Sequence, residues 1–366
     1  MRFGAAAQDG PRGVASHRRR LAGGWLVLLA LVGSLALVAP AVARSGGAPG
    51  PVEPAAAVAA VVKVGMTVED LDRSVAFYSG VLDFRVVAES EVAGPAVEAL
   101  TGVFGVRARV AALRLGAETL ELTEFLTPRG REVPRDSRSN DRWFQHVAII
   151  TSDMATAYGR LRANKVRYAS TGPQRLPDWN PSAGGIEAFY FHDPDGHVLE
   201  ILQFPPDKGD PRWQAGDALF LGIDHTAIVV ADTEASLRFY RDALGLRVVG
   251  GSENYGDEQA HLNNVRDAHL RITTLRADSG PGVELLEYLA PRDGRAYPAD
   301  ARPNDLFYWQ TTVRSSNTEA TLHALHADRG GDASNGPVLL PGGSSDPSPA
   351  AIVRDPDGHA LQVVGP

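Results

Sequence analysis

The chain has 366 residues, 44% of them hydrophobic and 22% charged, the composition of folded globular domains in a length sufficient for two. Its formal net charge of −8 argues against a nucleic-acid partner. The complete absence of cysteine excludes disulfides, thiolate metal ligands and a thiol nucleophile, so any metal must be held by nitrogen and oxygen.

At the N-terminus Arg18, Arg19 and Arg20 precede an apolar run from Trp25 to Val38 that ends in the small-residue site Ala41 to Ala43. This predicts an export signal over residues 1–43 and a linker over 44–59, hence a periplasmic or secreted protein. Pro40 and the Ala-x-Ala site favour cleavage over the alternative of an N-terminal membrane anchor. Arg18 and Arg19 followed by Leu21 resemble a twin-arginine signal, and both export routes stay open. Without residues 1–43, which hold five of the 36 basic and one of the 44 acidic residues, the net charge becomes −12.

From residue 60 onwards the chain repeats. "VKVGMTVEDLDRSVAFYSGVLDFRVV", Val62 to Val87, aligns without gaps on "DHTAIVVADTEASLRFYRDALGLRVV", Asp224 to Val249. In a second register, "NDRWFQHVAIITSDMATAYGRL" from Asn140 aligns on "NDLFYWQTTVRSSNTEATLHAL" from Asn304, and each is followed by a "DPDG" turn. A pair of unlike modules is thus written twice, with domains predicted over 60–207 and 219–366. The aperiodic, Pro- and Gly-containing stretch Pro205 to Ala218 lies between them, with the linker proper over 208–218. Each module reads as a strand, a helix and three strands, an α+β arrangement. In the third, "IDHTAIVVA" alternates as a strand, Asp232 or Thr233 caps the helix "TEASLRFYRDAL", and Gly245 stops it. "LRVVGGSE", "HLRITTLRA" and "GVELLEYLA" follow as strands.

A repeated module of this order, with "FY" in its helix and "DPDGHVLE" (Asp193 to Glu200) or "DPDGHALQ" (Asp355 to Gln362) at its last hairpin, resembles the vicinal oxygen chelate superfamily. That superfamily contains glyoxalases, bleomycin-resistance proteins and extradiol dioxygenases. The resemblance covers residues 60–366 and implies four βαβββ modules forming two paired-module half-barrel domains. It also implies a divalent metal (Fe, Mn, Ni or Zn) held by first and last strands of each module. Carried over by position, the first half offers Lys63, Glu121, His146 and Glu200, and the second His225, Glu284, Gln310 and Gln362.

Alternation in the strands supports part of this set independently. His225 shares a strand face with Ile223, Ala227 and Val229, and Glu200 shares one with Leu202 and Phe204. A carboxylate on such a face needs a partner. His146 with Glu121 and Glu200 is the richer donor set, with Glu121 or Glu200 available as a base. Lys63 cannot ligate; it either lies across Glu121 as an internal cation or acts as an electrostatic or acid residue. In the second half Gln310 and Gln362 are amides, which suit a neutral ligand pocket equally well. Taken half by half, no set of two histidines and one carboxylate occurs, which counts against extradiol cleavage. Export argues against a glutathione-dependent reaction.

The turn residues Asp193, Asp195, Asp355 and Asp357 read as structural, with Pro setting φ and Gly supplying a positive φ. His261 and Asn263 lie before a strand, in a stretch whose corresponding loop borders the cavity in the family, and Trp179 lies in "QRLPDWNPSAGG", a lid-like loop; all three are candidates for substrate contact. The sequence therefore predicts an exported, divalent-metal-dependent enzyme, a lyase, isomerase or dioxygenase acting on a small molecule through two neighbouring oxygens. The rival is a non-catalytic small-molecule-binding protein of the bleomycin-resistance type. Substrate, metal, reaction and oligomeric state stay open.

Overall fold

The same local signals lay down every module. In the first, the strand β1 (Val58–Val68) ends at Asp70, whose carboxylate accepts the Arg73 N–H at 2.9 Å and caps α1 (Leu71–Leu82). The strand β2 (Arg85–Ala93), a short helix α2 (Pro95–Thr101), β3 (Arg107–Leu115) and β4 (Glu118–Thr127) complete it. The second holds β5 (Gln145–Thr151), α3 (Met154–Ala163) capped by Asp153, β6 (Arg167–Tyr168), β7 (Gln174–Arg175), β8 (Glu187–His192) and β9 (Val198–Gln203). The third holds β10 (Phe220–Val230), α4 (Thr233–Leu237) running on into a π-helical turn over Arg238–Ala243, β11 (Arg247–Asn254), α5 (Asp257–Asn263), β12 (His269–Arg276) and β13 (Gly282–Ala290). Asp232 is the cap, accepting from the Ala235 N–H at 2.9 Å, and Gly245 follows at φ 83°. The fourth holds β14 (Trp309–Ser315), α6 (Thr318–Ala327), β15 (Gly331–Asp332), β16 (Val338–Leu340), β17 (Ser348–Arg354) and β18 (Ala360–Val364).

This computed structural model describes residues 58–327, 331, 332, 334, 336–340 and 348–366. The expected export signal over 1–43, and the expected linker as far as residue 57, lie outside the described residues. Two features depart from the sequence reading. Modules one and three insert α2 and α5 between their second and third strands, and modules two and four break the second strand into short pieces.

The strands form two curled sheets of half-barrel shape. One runs β15-β17-β18-β14-β1-β4-β3-β2 and the other β11-β12-β13-β10-β5-β9-β8-β6, with β16 and β7 pairing beside β17 and β8. Each is sewn together by an antiparallel seam between first strands, β1 with β14 and β10 with β5. Module one therefore shares a sheet with module four, and module two with module three, so the half-barrels are not the consecutive halves 60–207 and 219–366. The physical reason is that every module offers its first strand as an open edge, and either pairing satisfies the same ladder. The layer behind the sheets does follow the chain. Tyr78, Leu120, Ile149, Phe189 and Ile201 pack in one core, and Phe239, Leu285, Val313, Val353 and Leu361 in another.

The repeated words are the fasteners of those cores. Asp193 Oδ1 accepts the N–H groups of Asp195, Gly196 and His197, each at 2.9 Å, and its Oδ2 accepts from His197 Nδ1 at 2.8 Å and from Tyr78 Oη at 3.1 Å. Asp355 repeats this with Asp357, Gly358, His359 and Tyr240. The Tyr of each "FY" helix thus locks the turn of the next module, which accounts for both words without catalysis. Burial disfavours the charged His197 imidazole, but Asp193 outweighs it and pushes the group up to about 9.

Candidate metal centre

The seam between β10 and β5 brings together side chains that the sequence assigns to opposite halves. His225 on β10 and His146 on β5 flank the small residues Ala227 and Ala148, with Glu284 on β13 and Glu200 on β9 in register beside them. His146 Nε2 lies 3.2 Å from Glu200 Oε2, His225 Nε2 lies 3.6 Å from the same oxygen, and His225 Nε2 lies 3.3 Å from Glu284 Oε2. Thr274 Oγ1 donates to the other Glu284 oxygen at 2.7 Å.

Strict alternation fails next to His225, to the benefit of the site. A bulge between Ile223 and His225 makes Asp224 an extra residue of β10. Its carboxylate reaches back to His225 Nδ1 at 3.0 Å, and also accepts from Arg276 Nη2 at 2.7 Å and Trp213 Nε1 at 3.0 Å. Burial raises the Asp224 carboxyl, but the His225, Arg276 and Trp213 donors overcome it and hold it well below the carboxylate range. Burial likewise opposes charge on His225, and Glu284, Asp224 and Glu200 reverse it, pushing the group up to about 9.

The residues fit a divalent cation. Both ring nitrogens of His146 are buried and make no hydrogen bond, an arrangement proteins avoid unless something else engages them. Two imidazoles and two carboxylates are a suitable nitrogen and oxygen set for Fe, Mn, Ni or Zn, and Asp224 fixes the His225 tautomer with Nε2 aimed inward.

The other seam carries the same four positions and different chemistry. Gly65 faces Gln310 and Glu121, and Thr312 faces Lys63 and Gln362, the register of the first seam. Lys63 Nζ donates to Glu121 Oε2 at 2.5 Å, so the internal ion pair is the arrangement found. Gln310 Nε2 donates to Gln362 Oε1 at 2.7 Å, Thr312 Oγ1 donates to that oxygen at 3.1 Å, and Tyr308 Oη donates to Gln310 Oε1 at 2.9 Å. Val62 stands at the bulge where the first seam has Asp224. These side chains satisfy one another. The grouping of Glu121 and Lys63 with His146 and Glu200 is therefore corrected, as is that of Gln310 with His225 and Glu284. Two histidines do come together, since His146 and His225 meet across the seam with ring centroids 5.7 Å apart.

A cavity of about 640 Å³ opens over the four residues, walled by Leu176, Ala183, Ile186, Leu202, Leu262 and Leu286, with Tyr190, Asn254, Gln259 and Arg276 as polar points. The loop "QRLPDWNPSAGG" contributes Leu176, Ser182 and Ala183 to its lining. The loop's Trp179, however, is 51% exposed and lies against Tyr255, with ring centroids 4.5 Å apart and planes tilted by 31°. His261 is exposed, and Asn263 is buried beside a different groove. Helix α5 offers Gln259 and Leu262 to the cavity instead. Asp224 and Tyr190 went unnoticed in the sequence, although an acid beside a candidate ligand histidine was a readable signal.

The family model for the Glyoxalase/Bleomycin resistance protein/Dioxygenase superfamily matches residues 60–201 and again 222–363. A 2-epi-5-epi-valiolone epimerase of an Actinomyces species is 36% identical over 152 residues, 40% of this chain and 80% of that protein. Lactoylglutathione lyase of Arabidopsis thaliana is 25% identical over 183 residues, half of this chain and 53% of that protein. In fold, glyoxalase I of Zea mays superposes with a TM-score of 0.56 at 17% identity, covering 84% of this chain and 92% of that one. Two family matches on a chain of four modules, sewn into two half-barrels, lead to one conclusion: the chain belongs to the Glyoxalase/Bleomycin resistance protein/Dioxygenase superfamily.

Proposed function

We propose that the protein is a metal-dependent isomerase or epimerase acting on a small, neutral carbonyl compound with neighbouring oxygens. The observation that carries this is the convergence of His146, Glu200, His225 and Glu284, with both His146 ring nitrogens buried and lacking a hydrogen-bond partner. A divalent ion held by these four would polarise two adjacent substrate oxygens and acidify the neighbouring C–H. Glu284 is the suited base: its side chain is 18% exposed towards the cavity against 5% for Glu200, and Thr274 holds its far oxygen. Glu284 would take a proton from the carbon beside the carbonyl; a proton delivered to the opposite face by Glu200, the other carboxyl of the site, would invert that carbon, and return from Glu284 to the neighbouring carbon would isomerise the substrate. The apolar wall limits water around that proton.

Charge narrows the substrate. Apart from histidine, Arg276 is the one basic side chain among the described residues lining the cavity, and it is committed to Asp224; Asp210, Glu200 and Glu284 line it too. Beyond the metal, a multiply anionic substrate such as a glutathione adduct meets no unpaired arginine or lysine among the described lining residues. The valiolone epimerase likeness supports the same direction. Incubating the metal-loaded protein in D₂O with cyclic polyol ketones and following deuterium at the carbon beside the carbonyl by NMR tests the proposal. Exchange that vanishes in Glu284→Gln is expected, and no exchange with any member of the panel would sink it.

A further inference from the structure

The duplication lets one half of the molecule serve as a comparison for the other. The arms entering modules two and four align without gaps, Asp141 on Asp305 and Val133 on Tyr297. In the second copy Tyr297 is buried against the "DPDG" turn. A Cβ placed on Gly358 would lie 3.1 Å from the Tyr297 Cβ and 3.2 Å from its Cγ, and the ring centroid is 5.6 Å from that of His359. Arg354 lies over the Tyr297 ring at 5.8 Å and donates to the carbonyls of Gly358 at 2.6 Å and Ala301 at 2.8 Å. The chain itself fills this aryl slot and satisfies its guanidinium.

In the first copy no ring fills that place, and the Arg167 guanidinium reaches into it. Val133 is the residue in Tyr297's place, its Cβ 3.8 Å from the corresponding point on Gly196, and Arg167 Nη2 lies 3.1 Å from that point. His192 replaces Arg354, and Arg167 stands opposite it in the ladder as Gly331 stands opposite Arg354. The guanidinium has moved one strand over and lost its aromatic partner. A groove of about 900 Å³ results, walled by Trp143, Tyr168, Phe307 and Trp309. Most charges along it are answered. Arg73 pairs with Glu69 and Asp195, Arg135 with Glu132 at 3.9 Å, Arg138 with Asp293 at 2.9 Å, and His197 with Asp193. Among the described residues, the side chains of Arg167 and Lys165 form no ion pair and no hydrogen bond. Asn263 also borders the groove, with a buried Nδ2 that lacks an acceptor.

We propose that this groove is a second small-molecule site, separate from the cavity over His146 and His225, and that it takes an aryl carboxylate. The ring occupies the slot that Tyr297 fills in the other copy, and the carboxylate pairs with Arg167. The test is a titration of the full chain, loaded with divalent metal, with 4-hydroxyphenylacetate, read by tryptophan fluorescence and by calorimetry. Saturable binding of one equivalent with a Kd of about 1 mM or tighter is expected. Val133→Tyr, which copies the occupant of the other slot, should abolish it. Arg167→Met, a change at an exposed residue that leaves the fold untouched, should weaken it at least about tenfold. No saturable binding by the unaltered chain, or binding that survives both substitutions, would overturn the proposal.

Discussion

Replacing Asp224 with asparagine removes one charge and almost no volume, and its effect can be worked from three contacts. Asp224 answers His225 Nδ1 at 3.0 Å with one oxygen, and Arg276 Nη2 at 2.7 Å and Trp213 Nε1 at 3.0 Å with the other. An amide has one acceptor oxygen. Arg276 and Trp213 both demand it, which turns the NH₂ towards His225 Nδ1. Neutral His225 can accept from that NH₂ only by carrying its own proton on Nε2, the atom aimed at Glu200 and Glu284, and Nε2 then has no lone pair for a metal. Changes of this kind cost about 10- to 100-fold in metal affinity, or about 1.4–2.7 kcal/mol. Competition with a chromogenic chelator for Co²⁺ or Zn²⁺ at fixed pH measures it directly. Affinity unchanged within about twofold would refute the tautomer argument, and complete loss of binding would show that Asp224 is itself a ligand.

Tyr78→Phe and Tyr240→Phe each delete a hydrogen bond to a buried carboxylate, so urea unfolding should show a loss of about 1–3 kcal/mol for each; no measurable loss would mean that the turns are held otherwise. The His197–Asp193 pair has a pH signature. Because His197 is pushed up to about 9, above its unfolded value of about 6.5, its contribution is complete below about pH 6.5 and lost as pH rises towards 9. Asp193 is lowered by His197 and its hydrogen bonds against the opposing effect of burial, so stability falls again as pH drops below about 4. The gap in urea midpoint between the unaltered chain and His197→Asn should therefore shrink between pH 6.5 and 9.5, and a constant gap contradicts the pair. Finally, Val62→Asp, Lys63→His, Gln310→His and Gln362→Glu together rebuild the second seam in the image of the first, leaving Glu121 in place. Elemental analysis should then find one more ion per chain than in the unaltered protein.

Much of the fold was legible because each module carries its own punctuation. Asp232 caps its helix where the sequence placed the start, Asp70 and Asp153 repeat that cap in the first two modules, and "DPDG" marks both last hairpins. The individual positions that meet at the candidate site were legible too, since His146, Glu200, His225 and Glu284 sit at equivalent places in a repeated register. Their grouping was not. β1 can pair with β5 or β14 using the same ladder and the same alternation, and only long-range packing chooses between them. Asp224 escaped for a related reason, because a bulge breaks the period-two rule that assigned it to the opposite face. The exposure of Trp179 and His261 depends on loop and helix rotation, which composition does not encode.

As proposed, the protein holds one metal centre built across its two halves, with the counterpart replaced by an internal ion pair and two amides. Elemental analysis of the untagged protein after reconstitution tests it most directly, in the unaltered chain and in His146→Ala, His225→Ala and Glu121→Ala. The account predicts one divalent ion per chain, lost in either histidine variant and retained in Glu121→Ala. No bound ion, two per chain, or loss of the ion on Glu121→Ala would contradict it.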